Sequence, residues 1–486
     1  MISRIKQWYS SLSVQVKASF WFLMCSFLQR GVALITTPIF TRLLSTDEYG
    51  SFNVFNSWMS IVSIIVTLNL FGGVYQRGLV KFEFERKVFI SSIQGLTFVL
   101  CFGWTIVYIC SSSFWNDLFS LTTVQMFAML ILIWTNVVFN LWAGEQRVEY
   151  KYRTLVIVTL LFAIFQPLIS IFFIIHSDDK VTARILGLVI AQLVGFSWMF
   201  IIHIIKGKKL FSKKFWKHAL LFNIPLLPHY LSQTILNSSD RIMIERMVDK
   251  SSAGIYSLAY ALAQIMILFN VALADVLTPW IYTKIRDNKI KDISRIAYAT
   301  LMIVAGVNII LIAFAPEAVR LFAPKEYYDA IWCIPPIAMS VYFLFCYDLF
   351  AKFEFYYEKT KLIAAATFVG AAINIVTNFI FIKLFGYIAA AYTTLFCYIL
   401  YALFHFFAMK YVCKKHLDGE CPYNSKVLLL VTLSFLGIGF LYLITYSNNI
   451  MRYVLTGVFL IVVLVFYKSI FGTIKEILSI RKVSKK

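Results

Sequence analysis

The sequence predicts an all-α polytopic membrane protein with fourteen transmembrane helices, and three observations support this prediction. Hydrophobic residues make up 60% of the 486 residues, charged residues make up only 14%, and the mean hydropathy is +0.78. Soluble domains are about 45–50% apolar and about 25% charged. Apolar stretches of about 20 residues, the length that crosses a bilayer as a helix, recur along the chain. Because lipid offers the backbone no hydrogen bonds, each stretch is expected to cross as a helix.

The predicted helices follow one another with short polar connections between them. They occupy residues 18–41, 50–73, 88–110, 122–143, 154–176, 185–205, 219–245, 253–283, 296–319, 331–351, 362–382, 386–409, 427–447 and 453–472. The segment before the first helix carries charge but has no small-residue cleavage site after a short apolar core. We therefore interpret it as an uncleaved interfacial segment and not as a signal peptide.

The distribution of positive charge fixes an orientation for these helices. With a cytoplasmic N-terminus, 34 of the 45 Lys and Arg residues fall in inward segments and 10 fall in outward loops. This alternation is what the positive-inside rule predicts, so both termini are expected to face the cytoplasm of a bacterial inner membrane. The net charge of +21 is spread over short loops. It therefore does not indicate a nucleic-acid partner, which would require a concentrated basic face.

The loops leave no room for a soluble catalytic domain. The longest connection has about twenty residues, and we find no Walker loop, no HExxH and no GxSxG motif. We therefore expect a transporter that is not an enzyme and needs no cofactor. Most of the eight cysteines lie in or at the ends of apolar segments, where they act as small hydrophobic residues. Cys413, His416 and Cys421 share a loop but lack zinc-ligand spacing, so no metal site is expected.

A weak internal repeat divides the chain. In "RLLSTDEYGSF" the glycine follows Arg42 by eight residues, and in "RMVDKSSAGIY" it follows Arg246 by eight residues. The two turns are six helices apart, so the two halves have the same orientation, as in transporters built from two bundles around a central cavity. A chance match in a biased sequence is the alternative. The predicted parts are an N-lobe (1–210, helices 1–6), a C-lobe (211–415, helices 7–12) and a C-terminal pair of helices with a basic tail (416–486).

The seventh predicted helix carries an unusual polar stripe. His229, Gln233, Asn237 and Asp240 follow a spacing that places them on one helical face. The stripe runs from mid-membrane, near His229, to the outer boundary, near Asp240. Pro225 and Pro228 lie early in the same helix, and we expect them to form a kink or hinge there.

Other polar residues lie deep in neighbouring predicted helices. Arg30 is near mid-depth in the first helix, where insertion of an arginine costs about 2.5–3.5 kcal/mol, so it is expected to face a wet cavity or a partner. Asn53 in the second helix, Tyr260 in the eighth and Arg241 beside the stripe complete the candidate binding residues. Helix–helix contact is the structural alternative for the uncharged positions.

Three acidic residues are candidates for coupling to an ion. Asp240 ends the polar stripe, and Asp275 and Asp348 lie near the inner ends of the eighth and tenth predicted helices. A proton or sodium site is one interpretation. An interfacial salt-bridge cluster around Asp240, and interfacial caps at the other two positions, are the alternatives.

Several stretches resemble a known family. "TRLLSTDEYGSFNVFNSW", "FNIPLLPHYLSQTILNSSDRIMI", "AGIYSLAYALAQI" and "LTPWIY" are similar to the bacterial oligosaccharide repeat-unit flippases that serve O-antigen, capsule and related polysaccharides. These belong to the multidrug/oligosaccharidyl-lipid/polysaccharide exporter superfamily. The resemblance covers about the first 400 residues. Many such flippases have twelve helices, so the last two predicted helices here depart from that pattern.

The resemblance implies a function and a set of partners. It implies two six-helix lobes around a cavity that opens alternately to each side, and a cargo carried on undecaprenyl pyrophosphate. Arg30, with His229 and Arg241, would then neutralise phosphate, and Asn53, Gln233, Asn237 and Tyr260 would contact sugar. Membrane lipid is an expected partner, and a polysaccharide polymerase or chain-length regulator is a further candidate. The alternatives are a cation-coupled drug or metabolite exporter of the same superfamily and a membrane-embedded polymerase or ligase.

Overall fold

The computed structural model describes residues 13–465 together with Tyr467 and Gly472, and its regular elements in that part of the chain are helices. The α-helices are α1 (Val14–Leu43), α2 (Thr46–Thr67), α3 (Gly73–Lys81), α4 (Arg86–Cys110), α5 (Ser112–Phe119), α6 (Thr123–Val148), α7 (Tyr152–Ile175), α8 (Lys180–Gly207), α9 (Lys213–Asn223), α10 (Leu227–Met247), α11 (Lys250–Arg286), α12 (Lys291–Ala313), α13 (Ala315–Phe322), α14 (Ala330–Tyr356), α15 (Thr360–Phe385), α16 (Ala389–His416), α17 (Ser425–Thr445) and α18 (Asn449–Val465). Short 3₁₀ helices occupy Glu83–Glu85, Ile224–Leu226 and Lys325–Tyr327.

Within the described residues, eleven helices are long and apolar enough to cross a membrane, which confirms an all-helical polytopic membrane fold. Each of the eleven coincides with a predicted helix. The other three predictions fall on α2, which is more polar, on the broken pair α9–α10, and on α18, which has 17 described residues. The number fourteen therefore stays a prediction.

The chain divides into two compact units, Met1–Ser238 (unit 1) and Ser239–Lys486 (unit 2), and the boundary falls inside α10. In unit 1, buried apolar residues such as Phe55, Leu132 and Ile185 form a core beneath α2, α6 and α8. In unit 2 the most enclosed candidate span is α14, whose Leu349 and Phe353 are fully buried. The predicted lobe boundaries at 210 and 415 stay predictions.

Each of the two turns that form the predicted repeat leads into a helix whose first turn is capped by a side chain. At the start of α2, Ser45 and Glu48 form a capping box, with Glu48 N donating to Ser45 Oγ at 3.2 Å and Ser45 N donating to Glu48 Oε2 at 2.7 Å. At the start of α11, Ser252 N donates to Asp249 Oδ1 at 2.6 Å. Such caps satisfy N–H groups that the first helical turn leaves without partners.

The second predicted helix ends at Thr67 and not at residue 73, because Leu68 and Asn69 adopt left-handed backbone conformations (φ 51° and 50°). The carbonyl oxygens of Leu68 and Asn69 lie at this break. Asn223, at the end of α9, donates its Nδ2 to both of them, at 2.9 Å to Leu68 and 2.8 Å to Asn69. The C-terminal ends of α2 and α9 are therefore joined through a single buried amide.

The seventh predicted helix is not continuous. It consists of α9, the 3₁₀ turn Ile224–Leu226 and α10. Pro225 lies in the turn and Pro228 lies in the first turn of α10. A proline lacks the N–H that a helix needs, and its ring clashes with the preceding turn. The break falls where the two prolines were predicted to act, and their role as a hinge stays a prediction.

Buried polar contacts attach the last two helices to unit 2. Arg452, at the start of α18, is fully buried and is paired with Glu317 of α13. The hydroxyl of Tyr453 also donates to Glu317, at 2.6 Å, and the hydroxyl of Tyr446 donates to the carbonyl of Ile312 at 2.6 Å. The hairpin of α17 and α18 is thus fixed to α12 and α13.

Candidate functional site

Unit 1 has a partly open cavity of about 540 Å³ between α1, α2, α6, α7 and α8. Apolar rings and aliphatic side chains supply part of its wall. The rest of the wall is hydrogen-bonding side chains from all five helices: Gln29, Thr36, Thr37, Tyr49, Asn56, Asn136, Gln166, Ser170 and Gln192. Amides and hydroxyls arranged around an aromatic wall suit a ligand that has both hydrogen-bonding groups and flat apolar faces.

Arg184 is the only ionisable side chain other than Tyr49 among the described residues that line this cavity. Its guanidinium carbon lies 3.6 Å from the centre of the Phe52 ring and 3.8 Å from that of the Phe40 ring. Stacking on ring faces partly compensates an arginine for burial, by about 2 kcal/mol where water is excluded. The described wall contains no carboxylate, so the cavity has positive character.

The local structure explains how Arg184 reaches the cavity. The sequence suggested an outward loop as far as residue 184, but α8 begins at Lys180. Asp179 caps that start, accepting a hydrogen bond from Thr182 N at 3.0 Å. Arg184 is therefore a helical residue facing α1 and α2. One signal in the sequence was available, an Asp followed three residues later by Thr before an apolar run.

A hydrogen bond between α6 and α8 orients one of the cavity amides. The hydroxyl of Thr135 on α6 donates to Gln192 Oε1 on α8 at 2.6 Å, and both residues are buried. Because its oxygen is held by α6, Gln192 presents its amide in a defined position. Asn56, which the sequence analysis did not select, lines the cavity from α2.

Two predicted binding residues lie at or beside this region. Arg30 belongs to α1, next to the cavity residue Gln29, but its side chain lies outside the described part of the chain. Asn53 is on α2 and donates its amide to the carbonyl of Tyr49 at 2.8 Å, one turn back along its own helix. It is not among the residues that line the cavity. The roles predicted for both residues stay predictions.

The polar stripe on α10 has two environments. Gln233 and Asn237 are exposed, His229 is half-buried, and Asn237 donates to the carbonyl of Gln233 at 2.9 Å. Asp240 is only 1% exposed and lies in unit 2. The helical spacing was predicted to give one continuous face, but only its first three members share an accessible surface.

Asp240 is at the centre of a buried hydrogen-bond cluster. Its carboxylate accepts from the Tyr256 hydroxyl at 2.7 Å, from Asn378 Nδ2 at 2.5 Å and from the Thr394 hydroxyl at 3.0 Å. Thr393 donates in turn to Asn378. All the direct donors are neutral, so the carboxylate is held by α11, α15 and α16 without an ion-pair partner among the described residues.

Arg241 and Tyr260 meet within unit 2. The guanidinium carbon of Arg241 lies 4.2 Å from the centre of the Tyr260 ring, and Tyr260 is 8% exposed. The sequence assigned these residues separate roles, one towards phosphate and one towards sugar. Their contact makes them one cation–π pair.

The other two acidic candidates, Asp348 and Asp275, both interact with Lys352, a residue that was predicted to lie in a loop. Lys352 on α14 is 2% exposed and forms an ion pair with Asp348 one turn earlier. Asp275 on α11 adds attraction for the same ammonium group. A coupling cation would have to compete with Lys352 for Asp348, whereas at Asp240 it would meet a buried carboxylate whose hydrogen-bond donors are neutral.

Comparisons with known proteins agree with this fold. The model of the family described as "Polysaccharide biosynthesis protein" matches residues 16–284, and the MatE family model matches residues 225–380. The Lsg locus putative protein 1 of Haemophilus influenzae is 22% identical over 376 residues, covering 74% of this chain and 89% of that protein.

Solved structures show the same likeness. The lipid II flippase MurJ, in an inward closed conformation, matches with a TM-score of 0.70 at 18% identity, over 92% of this chain and 99% of that one. An inward-facing multidrug resistance MATE family transporter of the MOP superfamily matches with a TM-score of 0.65 at 12% identity, over 80% of this chain and 96% of that one. At these identities the likeness shows a shared fold.

Proposed function

The chain belongs to the polysaccharide biosynthesis protein family of the exporter superfamily that the sequence resembled, and from this premise we propose that it is a flippase for lipid-linked oligosaccharide. It would move an undecaprenyl-pyrophosphate-linked oligosaccharide from the cytoplasmic to the periplasmic leaflet of the inner membrane. Its cargo would serve O-antigen or capsule synthesis. Fourteen membrane crossings and cytoplasmic termini are part of the same proposal.

The observation that carries the proposal is the cavity of unit 1. Sugars and phosphates do not cross hydrocarbon unaided, because burying hydroxyls and charges without partners is costly. The cavity offers amides and hydroxyls for sugar hydroxyls, aromatic faces for sugar rings, and Arg184 for an anion. A polyprenyl tail would stay in the bilayer while the head group passes among these helices.

The predicted binding residues have defined parts in this mechanism. Arg30, with His229 and Arg241, would attract the pyrophosphate, and Asn53, Gln233, Asn237 and Tyr260 would contact sugar. An inside-negative membrane potential favours outward movement of an anion by about 2.3 kcal/mol per charge per 100 mV. Exchange for an ion bound at Asp240, Asp275 or Asp348 is the alternative source of energy.

A drug or metabolite exporter is the second candidate. It is favoured by the MatE match over residues 225–380 and by the MATE-like fold. A cationic cargo would be attracted by a carboxylate and repelled by an arginine, and the described cavity wall has an arginine and no carboxylate. The positive character of the unit 1 cavity therefore favours the flippase.

Reconstitution separates the two candidates. Purified protein in liposomes should move a fluorescent undecaprenyl-pyrophosphate oligosaccharide between leaflets, detected by membrane-impermeant quenching. A cationic dye should not accumulate in the same vesicles. Accumulation of the dye without movement of the labelled lipid would replace the flippase by the exporter, and formation of a new glycosidic bond would indicate a transferase.

We expect Arg30→Ala to slow translocation about tenfold, since a charge-assisted hydrogen bond contributes about 1.5–3 kcal/mol. Arg30→Lys keeps the charge and should retain most of the rate. The two variants are compared for lipid translocation in liposomes and for surface polysaccharide in cells. Full export by a well-expressed Arg30→Ala protein would remove this residue from the mechanism.

Filling the cavity tests its use directly. Ala163 faces the cavity from α7, whereas its neighbour Ile164 is 51% exposed on the outer face. Ala163→Trp should reduce translocation about tenfold or more by occupying the space of the head group. Ile164→Trp, the matched control on the same helix, should leave the rate within about twofold, as expected for an exposed apolar substitution. Equal rates for the two variants would show that the cargo does not enter this cavity.

A further inference from the structure

Both units contain a buried glutamate paired with a buried histidine. In unit 1, Glu145 of α6 and His203 of α8 are joined at 3.0 Å between Oε2 and Nε2. In unit 2, Glu354 of α14 and His405 of α16 are joined at 2.7 Å between Oε1 and Nδ1. Under the predicted repeat these are the fourth and sixth helices of each half, so the pairs occupy corresponding helices.

The unit 1 pair has further hydrogen-bond and charge partners. Gln94 Nε2 donates to His203 Nδ1 at 3.0 Å, so His203 Nε2 carries the hydrogen that Glu145 accepts. Gln146 also donates to Glu145, at 3.3 Å, and Lys206 and Lys151 add electrostatic attraction for the carboxylate. Both ring nitrogens of His203 and one carboxylate oxygen of Glu145 therefore have hydrogen-bond partners, and two lysines attract the carboxylate.

The unit 2 pair is not satisfied in the same way. Both residues are 0% exposed, and both Glu354 Oε2 and His405 Nε2 are buried without a hydrogen-bond partner. In the described part of the chain, only His405 acts electrostatically to favour the Glu354 carboxylate. With Glu354 as a carboxylate and His405 as a neutral imidazole, the couple has a net charge of −1. One added proton makes it neutral. A buried charge without compensation is costly, so the added proton is favoured.

The described groups around this couple do not supply a second compensating charge. Tyr347 and Tyr401 flank the imidazole, each with its ring centre 4.7 Å from that of His405. Further along α14, Asp348 and Lys352 neutralise each other. The α11 residues nearest to these groups are Asp275 and Tyr282, and α15 contributes Thr367, whose hydroxyl lies 3.3 Å from that of Tyr401.

Polar side chains of α16 lie between the couple and Asp240. Thr394, Tyr398, Tyr401 and His405 recur along one face of α16, over about 17 Å of helix rise. Thr394 donates to Asp240 at one end, and His405 contacts Glu354 at the other. Hydroxyl groups both donate and accept hydrogen bonds, so this face is suited to passing a proton.

We propose that the Glu354–His405 couple is a proton-binding site of the transport cycle, connected through the tyrosines of α16 to Asp240. This proposal rests on the proposed flippase function. The couple holds its proton while the helices of unit 2 are sealed around it. When water reaches the inner ends of those helices, the couple gives the proton to the cytoplasm, and a proton arriving through the Asp240 end restores it. The matching pair in unit 1 takes no part.

Translocation in liposomes with an imposed pH gradient tests the site. A gradient of one pH unit biases the exchange of one proton by about tenfold, so the wild-type rate should respond to it. Glu354→Gln keeps the shape but cannot ionise, and its rate should not respond to the gradient. Tyr401→Phe should weaken the response, because it removes one hydroxyl. Glu145→Gln, the matched variant in unit 1, should keep the full response.

Two results would overturn the proposal: a Glu354→Gln protein that keeps the wild-type response, or a Glu145→Gln protein that loses it equally. The elution volume in size-exclusion chromatography and the thermal unfolding transition in detergent identify variants that fail to fold. For such a variant, Glu354→Asp replaces Glu354→Gln, and it should shift the pH at which the rate responds.

Infrared titration of the protein in detergent distinguishes failure of this site from failure of the proposed function, since it needs no cargo. A carboxyl or imidazole band that titrates in the wild type should be absent in Glu354→Gln and present in Glu145→Gln. If the wild type moves no labelled lipid, the flippase proposal fails while this titration still decides whether the couple binds a proton. If no such band titrates, the proton site is excluded.

Discussion

Asp240→Ala should lower the stability of the protein by about 3–5 kcal/mol, the cost typical of breaking a buried polar network at a charged member. The carboxylate accepts hydrogen bonds from Tyr256, Asn378 and Thr394, and all three donors are buried. Each donor left without an acceptor costs about 1–3 kcal/mol. Part of this free-energy cost is recovered, because the hydroxyl oxygens of Tyr256 and Thr394 lie 3.4 Å apart and can form a hydrogen bond with each other.

Thermal unfolding in detergent measures the effect against two further variants. Asp240→Asn keeps the size of the side chain and one acceptor oxygen, so it should cost less, about 1–2 kcal/mol. Asp249→Ala removes an exposed cap from α11 and should cost about 1 kcal/mol. A transition temperature for Asp240→Ala equal to that of Asp249→Ala would mean that the cluster does not hold the helices together.

Arg184→Gln should reduce translocation about thirtyfold or more while leaving a folded protein. Arg184 supplies the charge of the described cavity wall, and removing one partner of a buried charged contact costs about 2–5 kcal/mol. Glutamine retains hydrogen-bonding capacity but no charge. Arg184→Lys keeps the charge but loses the stacking on Phe40 and Phe52, so its rate should fall between those of the wild type and Arg184→Gln.

The control for this substitution is Arg153→Gln, which removes an exposed charge at the start of α7. Its translocation rate should stay within about twofold of the wild type. Rates are compared in liposomes at equal protein density. If Arg184→Gln translocates at the wild-type rate, the anion of the cargo is bound elsewhere, and Arg30 becomes the principal candidate.

The positions of most membrane helices could be predicted because the length and hydropathy of a segment identify it as a span. Eleven of the predicted positions hold helices able to span a membrane. The end of α2 was predicted wrongly, since the left-handed turn at Leu68 and Asn69 contains neither glycine nor proline. Arg184 was missed because a basic residue near a helix end looks like part of a loop. The proposed polar stripe on α10 followed helical spacing, which carries no information about which neighbours surround each residue.

The paired glutamates and histidines show a different limit. Glu145 and His203 are 58 residues apart, and Glu354 and His405 are 51 residues apart. Each residue alone resembles an ordinary polar residue near a helix end. Only the packing of α6 against α8, and of α14 against α16, brings them together, and a single sequence gives no direct sign of such contacts.

The attachment of α9 determines which part of the broken helix can swing. Asn223 joins the end of α9 to α2, and Trp216 Nε1 donates to the carbonyl of Ser92 on α4 at 2.8 Å. Hydrogen bonds thus hold α9 to the end of α2 and to α4, up to the residue before the 3₁₀ turn. Any change of direction at Pro225 and Pro228 would therefore be taken up after Ile224, in the 3₁₀ turn and the first turn of α10, and not in α9.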